Sequence, residues 1–214
     1  MLTGSDSSLV IDSLCSLAEG GNATVAYIYF DFATQKEQSP VNTLGYLLRQ
    51  LVFGLEEIPE EISRAYDEDQ KSAIGEQGPQ ISAILKMLQT TSSKKPAFIC
   101  IDGLDECRTE YRVKLLDAIR ELLQHAPGIR IFVTGRPNIL LEIEKSLAGS
   151  VASVSISPKR DDVIRYIHSR LAADTTPDAM DTGLEEEILK AIPSDIPEMY
   201  VDAMVLRKLP QVIH

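Results

Sequence analysis

Ala97-Phe98-Ile99-Cys100-Ile101-Asp102-Gly103-Leu104-Asp105-Glu106 sets three carboxylates into the five positions that follow an unbroken apolar run of five. So short a run reads as a strand rather than a helix. Hydrophobicity that is continuous rather than alternating marks a strand buried on both faces, as in a parallel sheet covered by helices. A carboxylate at the end of such a strand opens into the crevice where an α/β protein takes its ligand. Asp102 suits Mg²⁺, which accepts one or two carboxylates together with water and phosphate oxygens. Gly103 lets the chain turn sharply. Asp105 and Glu106 would then supply a second metal contact and a base that orients an attacking water, a division of labour suited to nucleotide hydrolysis. The same residues also admit a plainer reading: strand, turn, and two acids placed favourably at the start of the next helix.

Downstream, Tyr111 to Leu123 has helical periodicity and Pro127-Gly128 is a turn. Ile129-Arg130-Ile131-Phe132-Val133 is a second largely apolar strand, and it leads into Thr134-Gly135-Arg136-Pro137. With one intervening helix, this strand lies near the first in a parallel sheet, so Thr134 and Arg136 would face the same crevice as Asp102. Arg136 carries a permanent charge and a forked donor set suited to a terminal phosphate. Read alone, it also admits a second reading as a solvated residue ahead of a Pro-started helix.

The pattern extends outward on both sides. Upstream come a helix over Ser7 to Ala18 ended by Gly20-Gly21 and a strand over Val25 to Phe30. A helix over Pro40 to Phe53 follows, with Ser39 as N-cap and Pro40 at its first position. The acidic segment Glu56 to Asp69 reads as an exposed helix, Pro79 to Leu88 as a further helix and Ser92 to Pro96 as a loop. Downstream come a helix over Pro137 to Leu147, a strand over Val151 to Ile156, helices over Arg160 to Leu171 and Leu184 to Ile192, and a frayed tail from Leu206. The fold class is α/β, three-layered, with a mostly parallel sheet and helices on both faces.

Composition bounds the function. The 214 residues hold 21 Lys and Arg against 32 Asp and Glu, a net charge of −11, which argues against a protein that grips nucleic-acid backbones. A nucleotide needs only a local positive site and stays open. The first basic residue is Lys36 and no apolar stretch approaches the length of a membrane span, so the expectation is a soluble cytoplasmic protein without a membrane partner. Cys15, Cys100 and Cys107 have no C-x-x-C spacing and read as reduced thiols, with Cys107 unreactive beside Glu106.

The two strand-end segments together resemble the NACHT group of signal-transduction (STAND, NLR-like) P-loop NTPases, in particular the fungal proteins with a nephrocystin-3-like N-terminal domain. Asp102 to Cys107 is similar to that group's extended Walker B, and Thr134-Gly135-Arg136-Pro137 to its sensor 1. Val25 to Asp31 resembles its second strand, and Leu44 to Leu51 the Leu-rich helix that follows. The resemblance implies a P-loop NTPase-like fold, Mg²⁺ and ATP as cofactors, Asp102 as the metal ligand, Asp105 and Glu106 as assistants of hydrolysis, and Thr134 and Arg136 on the nucleotide. It also implies a core over 1–172, and over 173–214 a helical remnant with the frayed tail.

One element of the pattern is absent. A phosphate loop needs G-x-x-x-x-G-K-[ST], and these 214 residues contain no Gly-Lys dipeptide. Ser8 to Leu17 resembles the helix after that loop, so the expectation is a core missing its first strand and phosphate loop, weak or inactive toward ATP. Thr3 to Ser8 would offer only a helix N-terminus, opposed by Asp6. Two further readings stand beside it. One is a non-enzymatic interaction module that docks onto full-length relatives or itself through a sheet edge or apolar helix faces. The other is a metal-dependent phosphatase or nuclease, weakened by the scatter of His125, His168 and His214.

Overall fold

The computed structural model describes residues 3–64, 80–147, 151–156, 160–172, 182–195 and 201–206. The helices are α1 (Thr3–Ala18), α2 (Pro40–Phe53), α3 (Ile81–Lys94), α4 (Thr109–His125), α5 (Leu140–Ser146), α6 (Arg160–Ala172) and α7 (Thr182–Asp195). The strands are β1 (Thr24–Tyr29), β2 (Ala97–Asp102), β3 (Ile129–Gly135), β4 (Val151–Ile156) and β5 (Val201–Leu206), and they form one sheet in the order β1-β2-β3-β5-β4. β1, β2 and β3 are parallel, with Tyr29 opposite Asp102 and Ile101 opposite Val133. This is the three-layer α/β architecture expected from the strand patterns.

The chain divides into two compact units, 1–154 with 202–214, and 155–201. In the second, α6 packs on α7, and Val163 and Ile167 of α6 are buried. In the first, alternation along the strands decides which residues meet the core. Ala26, Ala97, Ile99, Ile101, Ile129, Ile131 and Val133 enter one cluster with the leucines of α2, α3 and α4. Each large aliphatic side chain buried there is worth about 1.5–3 kcal/mol. The other face carries Phe98, Cys100, Asp102, Arg130, Phe132 and Thr134. Only Cys100 and Thr134 of these are buried, and α1 packs over β1 and β2 on the sheet. The unbroken apolar runs thus belong to strands sealed on one face and half-covered on the other.

Ser39 and Pro40 act at α2 as expected, the Ser39 hydroxyl accepting the Asn42 N–H at 3.3 Å. Other boundaries move. α1 begins at Thr3, so the segment expected to precede a helix lies within it. α3 runs through the expected Ser92 to Lys94 loop. Its hydroxyls turn back onto the helix: Thr91 donates to the Met87 carbonyl at 2.8 Å, Ser92 to Gln89 at 3.0 Å and Ser93 to Thr90 at 2.7 Å. Of the acidic helix expected over Glu56 to Asp69, residues 60–64 are helical and 65–69 lie outside the described residues.

The largest difference is β5. Val201-Asp202-Ala203-Met204-Val205-Leu206 was expected to belong to the helical remnant and tail, yet it lies antiparallel to β3 with Val133 opposite Met204. Its β-branched and long apolar residues suit a strand, and residues 207–214 lie outside the described residues. No described helix is long and apolar enough to cross a membrane.

Gly128, in the turn before β3, sits where backbone meets backbone: a Cβ there would lie 2.7 Å from the Ser92 carbonyl oxygen. Gly128→Ala is therefore expected to lower stability by at least about 1 kcal/mol. Leu116→Ala, at a fully buried α4 position, should lower it by about 2–5 kcal/mol. Urea denaturation followed by circular dichroism checks both, and parental midpoints would contradict the packing described.

Candidate functional site at the ends of two parallel strands

β2 and β3 end side by side, and the residues that follow them carry the chemistry. Asp102 and Thr134 share one face of the sheet, and the buried Thr134 hydroxyl donates to Asp102 Oδ1. The same hydroxyl accepts the Gly103 N–H at 3.0 Å. Gly103 turns with φ +67°, a left-handed conformation that suits glycine, and a short 3₁₀ turn over Leu104–Glu106 follows. Leu104 is fully buried and anchors that turn in the core.

Asp105 then reaches β3. Its Oδ1 accepts the Arg136 N–H at 3.1 Å and its Oδ2 lies 3.4 Å from Arg136 Nε. The two partners differ in exposure: the Asp105 side chain is 9% exposed and that of Arg136 72%. Asp105 is thus a fixed post, and the guanidinium swings from it into solvent. Glu106 points elsewhere. Its Oε2 accepts the Phe32 N–H at 3.2 Å, and its carbonyl accepts Gln35 Nε2 at 2.5 Å, which ties it to the turn after β1.

Of the five residues singled out in the sequence, Asp102 meets Thr134, Asp105 meets Arg136, and Glu106 is engaged separately beside β1. Sequence patterning did not reveal the residue that holds the far end of the loop. Arg112, buried in α4, donates from Nη1 to the Cys107 carbonyl at 2.9 Å and from Nε to Glu142 Oε2 at 2.9 Å. Nothing but its spacing on a helix could have drawn attention to it, since an arginine there reads as surface.

As a metal site the arrangement is spare. Among the described residues no three of His, Cys, Asp and Glu converge to hold an ion. One carboxylate with a hydroxyl beside it fits Mg²⁺ held largely by phosphate and water rather than an all-protein cage. Depressions of about 510 and 600 Å³ open beside α4 and beside Leu55 to Glu60, and neither is lined by the acidic loop.

Fold and site define a three-layer α/β domain with an acidic loop and an arginine at adjacent parallel strand ends. The chain belongs to the family described as nephrocystin 3, N-terminal, which matches it over residues 6–136. That interval takes in β1 to β3 and both strand-end segments. No curated protein matches the chain, and no solved structure does.

Thr134→Val keeps the shape but removes both hydrogen bonds at the strand ends. It should cost about 2–3 kcal/mol, since the Gly103 N–H and a carboxylate oxygen lose a partner, whereas Thr134→Ser should cost less than about 1 kcal/mol. Equal losses in urea denaturation would show that the hydroxyl is not what matters. The cysteines give a pH test. Burial pushes the Cys100 thiol from 9.0 up to about 12. Burial also raises Cys107 to about 11, with Arg112 opposing and Glu142 adding to the shift. Both hold their protons more tightly when folded. Stability is therefore full below the ordinary thiol value and falls as pH rises through the folded values. The urea midpoint should drop between pH 8 and pH 10.5, and Cys100→Ala/Cys107→Ala should flatten that drop; an unchanged slope would contradict the assignment.

Proposed function

We propose that this chain is a NACHT-like nucleoside-triphosphatase domain of a signal-transduction protein, and that these 214 residues bind Mg²⁺–ATP weakly and do not turn it over. The pairing of Asp105 with Arg136 across adjacent strand ends, beside the Asp102–Thr134 bond, carries this reading. It supports the reading by bringing the Arg136 guanidinium and the Asp102 carboxylate to the edge of the sheet where α/β proteins take ligands.

Each residue has a distinct role. Asp102 would hold Mg²⁺, which when bound neutralises phosphate charge. Thr134 orients the Asp102 carboxylate through its hydroxyl. Asp105 holds Arg136 by its backbone N–H and by Nε, which leaves the two Nη groups of the exposed guanidinium to offer paired donors to a terminal phosphate. Glu106 is the acid for positioning water, but it accepts the Phe32 N–H and would have to leave that partner first. With no Gly-Lys dipeptide, the β- and γ-phosphates lack the backbone cradle and ammonium that give such sites most of their grip. Weak binding, with a Kd of about 1 mM or roughly 4 kcal/mol, is the expectation for the site without them.

Isothermal titration with Mg²⁺–ATP tests this. The parent should bind in the millimolar range, Arg136→Ala and Asp102→Ala should each weaken binding about tenfold, and no phosphate should be released. Undetectable binding at saturating nucleotide would favour a non-enzymatic protein-interaction module built on the same fold. Phosphate release that Glu106→Gln abolishes would contradict the inactivity.

A further inference from the structure

Among the described residues β1 ends the sheet order and so presents an edge. Thr24 and Phe30 direct their N–H groups to the Pro96 and Asp102 carbonyls, each at 2.9 Å. By strand alternation, the peptide groups of Tyr27, Tyr29 and Asp31 point the other way, outward. A row of that kind invites another strand.

Two side-chain amides meet it instead. Gln50, on α2, accepts the Tyr27 N–H at 3.1 Å and donates through Nε2 to the Tyr27 carbonyl at 2.8 Å. Gln38 repeats the arrangement one step along, accepting the Asp31 N–H at 3.3 Å and donating to the Tyr29 carbonyl at 3.0 Å. A carboxamide carries donor and acceptor side by side, as a peptide group does, so each glutamine fills the place of a neighbouring strand's peptide. Both side chains are half-buried rather than extended into water. Asn42 Nδ2 donates to the Glu37 carbonyl at 2.8 Å and steadies the turn that carries Gln38. The strand so covered is one that would otherwise associate. Tyr27 and Tyr29 are 36% and 41% exposed, their rings stand edge to face 5.8 Å apart, and both belong to a run of high strand propensity.

We propose that Gln38 and Gln50 guard the β1 edge: by occupying the N–H groups of Tyr27 and Asp31 and the carbonyls of Tyr27 and Tyr29 they keep it from pairing with β1 of a second copy of the chain. This holds whether or not the domain binds nucleotide.

Sedimentation equilibrium of the 214-residue chain tests it. A Gln38→Ala/Gln50→Met variant should show a weight-average mass at least about twofold above the parent at equal concentration. Adding Tyr27→Lys, a charge on the same edge, should return it to the parental value. A double variant with the parental circular dichroism spectrum and the parental mass at every concentration would overturn the proposal, as would association that persists with Tyr27→Lys. Should the double variant not fold, hydrogen exchange on the parent decides. The Tyr27 and Asp31 amides should exchange at least about a hundredfold more slowly than open-loop amides, and exchange at loop rates would overturn the guard.

Discussion

The hydroxyl of Thr134 donates to one group and accepts from another, and the acidic end of the domain depends on its doing both. It binds the Asp102 carboxylate and receives the Gly103 N–H, so it joins β2 to β3 at the point where both strands stop. Valine has the shape without the bonds, and alanine has neither. A charge-assisted bond of this kind contributes about 1.5–3 kcal/mol, enough to hold a left-handed turn at Gly103 and the two acids that follow it. Arg112 completes the restraint from below by holding the Cys107 carbonyl, so the loop is fixed at its first and last residues.

Within that frame the acids are not equivalent. Asp102 is oriented by a neutral hydroxyl. Asp105 is spent on Arg136, and Glu106 on a backbone N–H beside β1. A chain of net charge −11 repels phosphates on the whole, so the guanidinium that Asp105 anchors is the feature that would let an anion approach this strand end. The match to the nephrocystin 3, N-terminal family covers residues 6–136 and so takes in the segments that carry these residues.

Much of the first unit was legible because its signals are local. β2 and β3 announce themselves as apolar runs between turns, and Ser39-Pro40 marks the start of α2. The meeting of Asp102 with Thr134 followed from two parallel strands ending together. Other features depend on contacts that no local pattern encodes. Ser92 and Ser93 look like loop residues until their hydroxyls are seen to bond back into α3. β5 is separated from its partner β3 by more than sixty residues, and its short run among prolines resembles a tail. The turning of Glu106 toward Phe32, and the amide pairs of Gln38 and Gln50, join side chain to backbone across elements. Sequence spacing carries no trace of them.

The central claim is that the ends of β2 and β3 form the phosphate-facing part of a nucleotide site. Backbone amide shifts of the labelled chain, followed by NMR as Mg²⁺–ATP is added, test it most directly. The account predicts that Gly103, Asp105, Gly135 and Arg136 move together, while Leu85 and Ala118, beside the α4 depression, stay in place. Shifts confined to that depression, or none at the strand ends at saturating nucleotide, would contradict it.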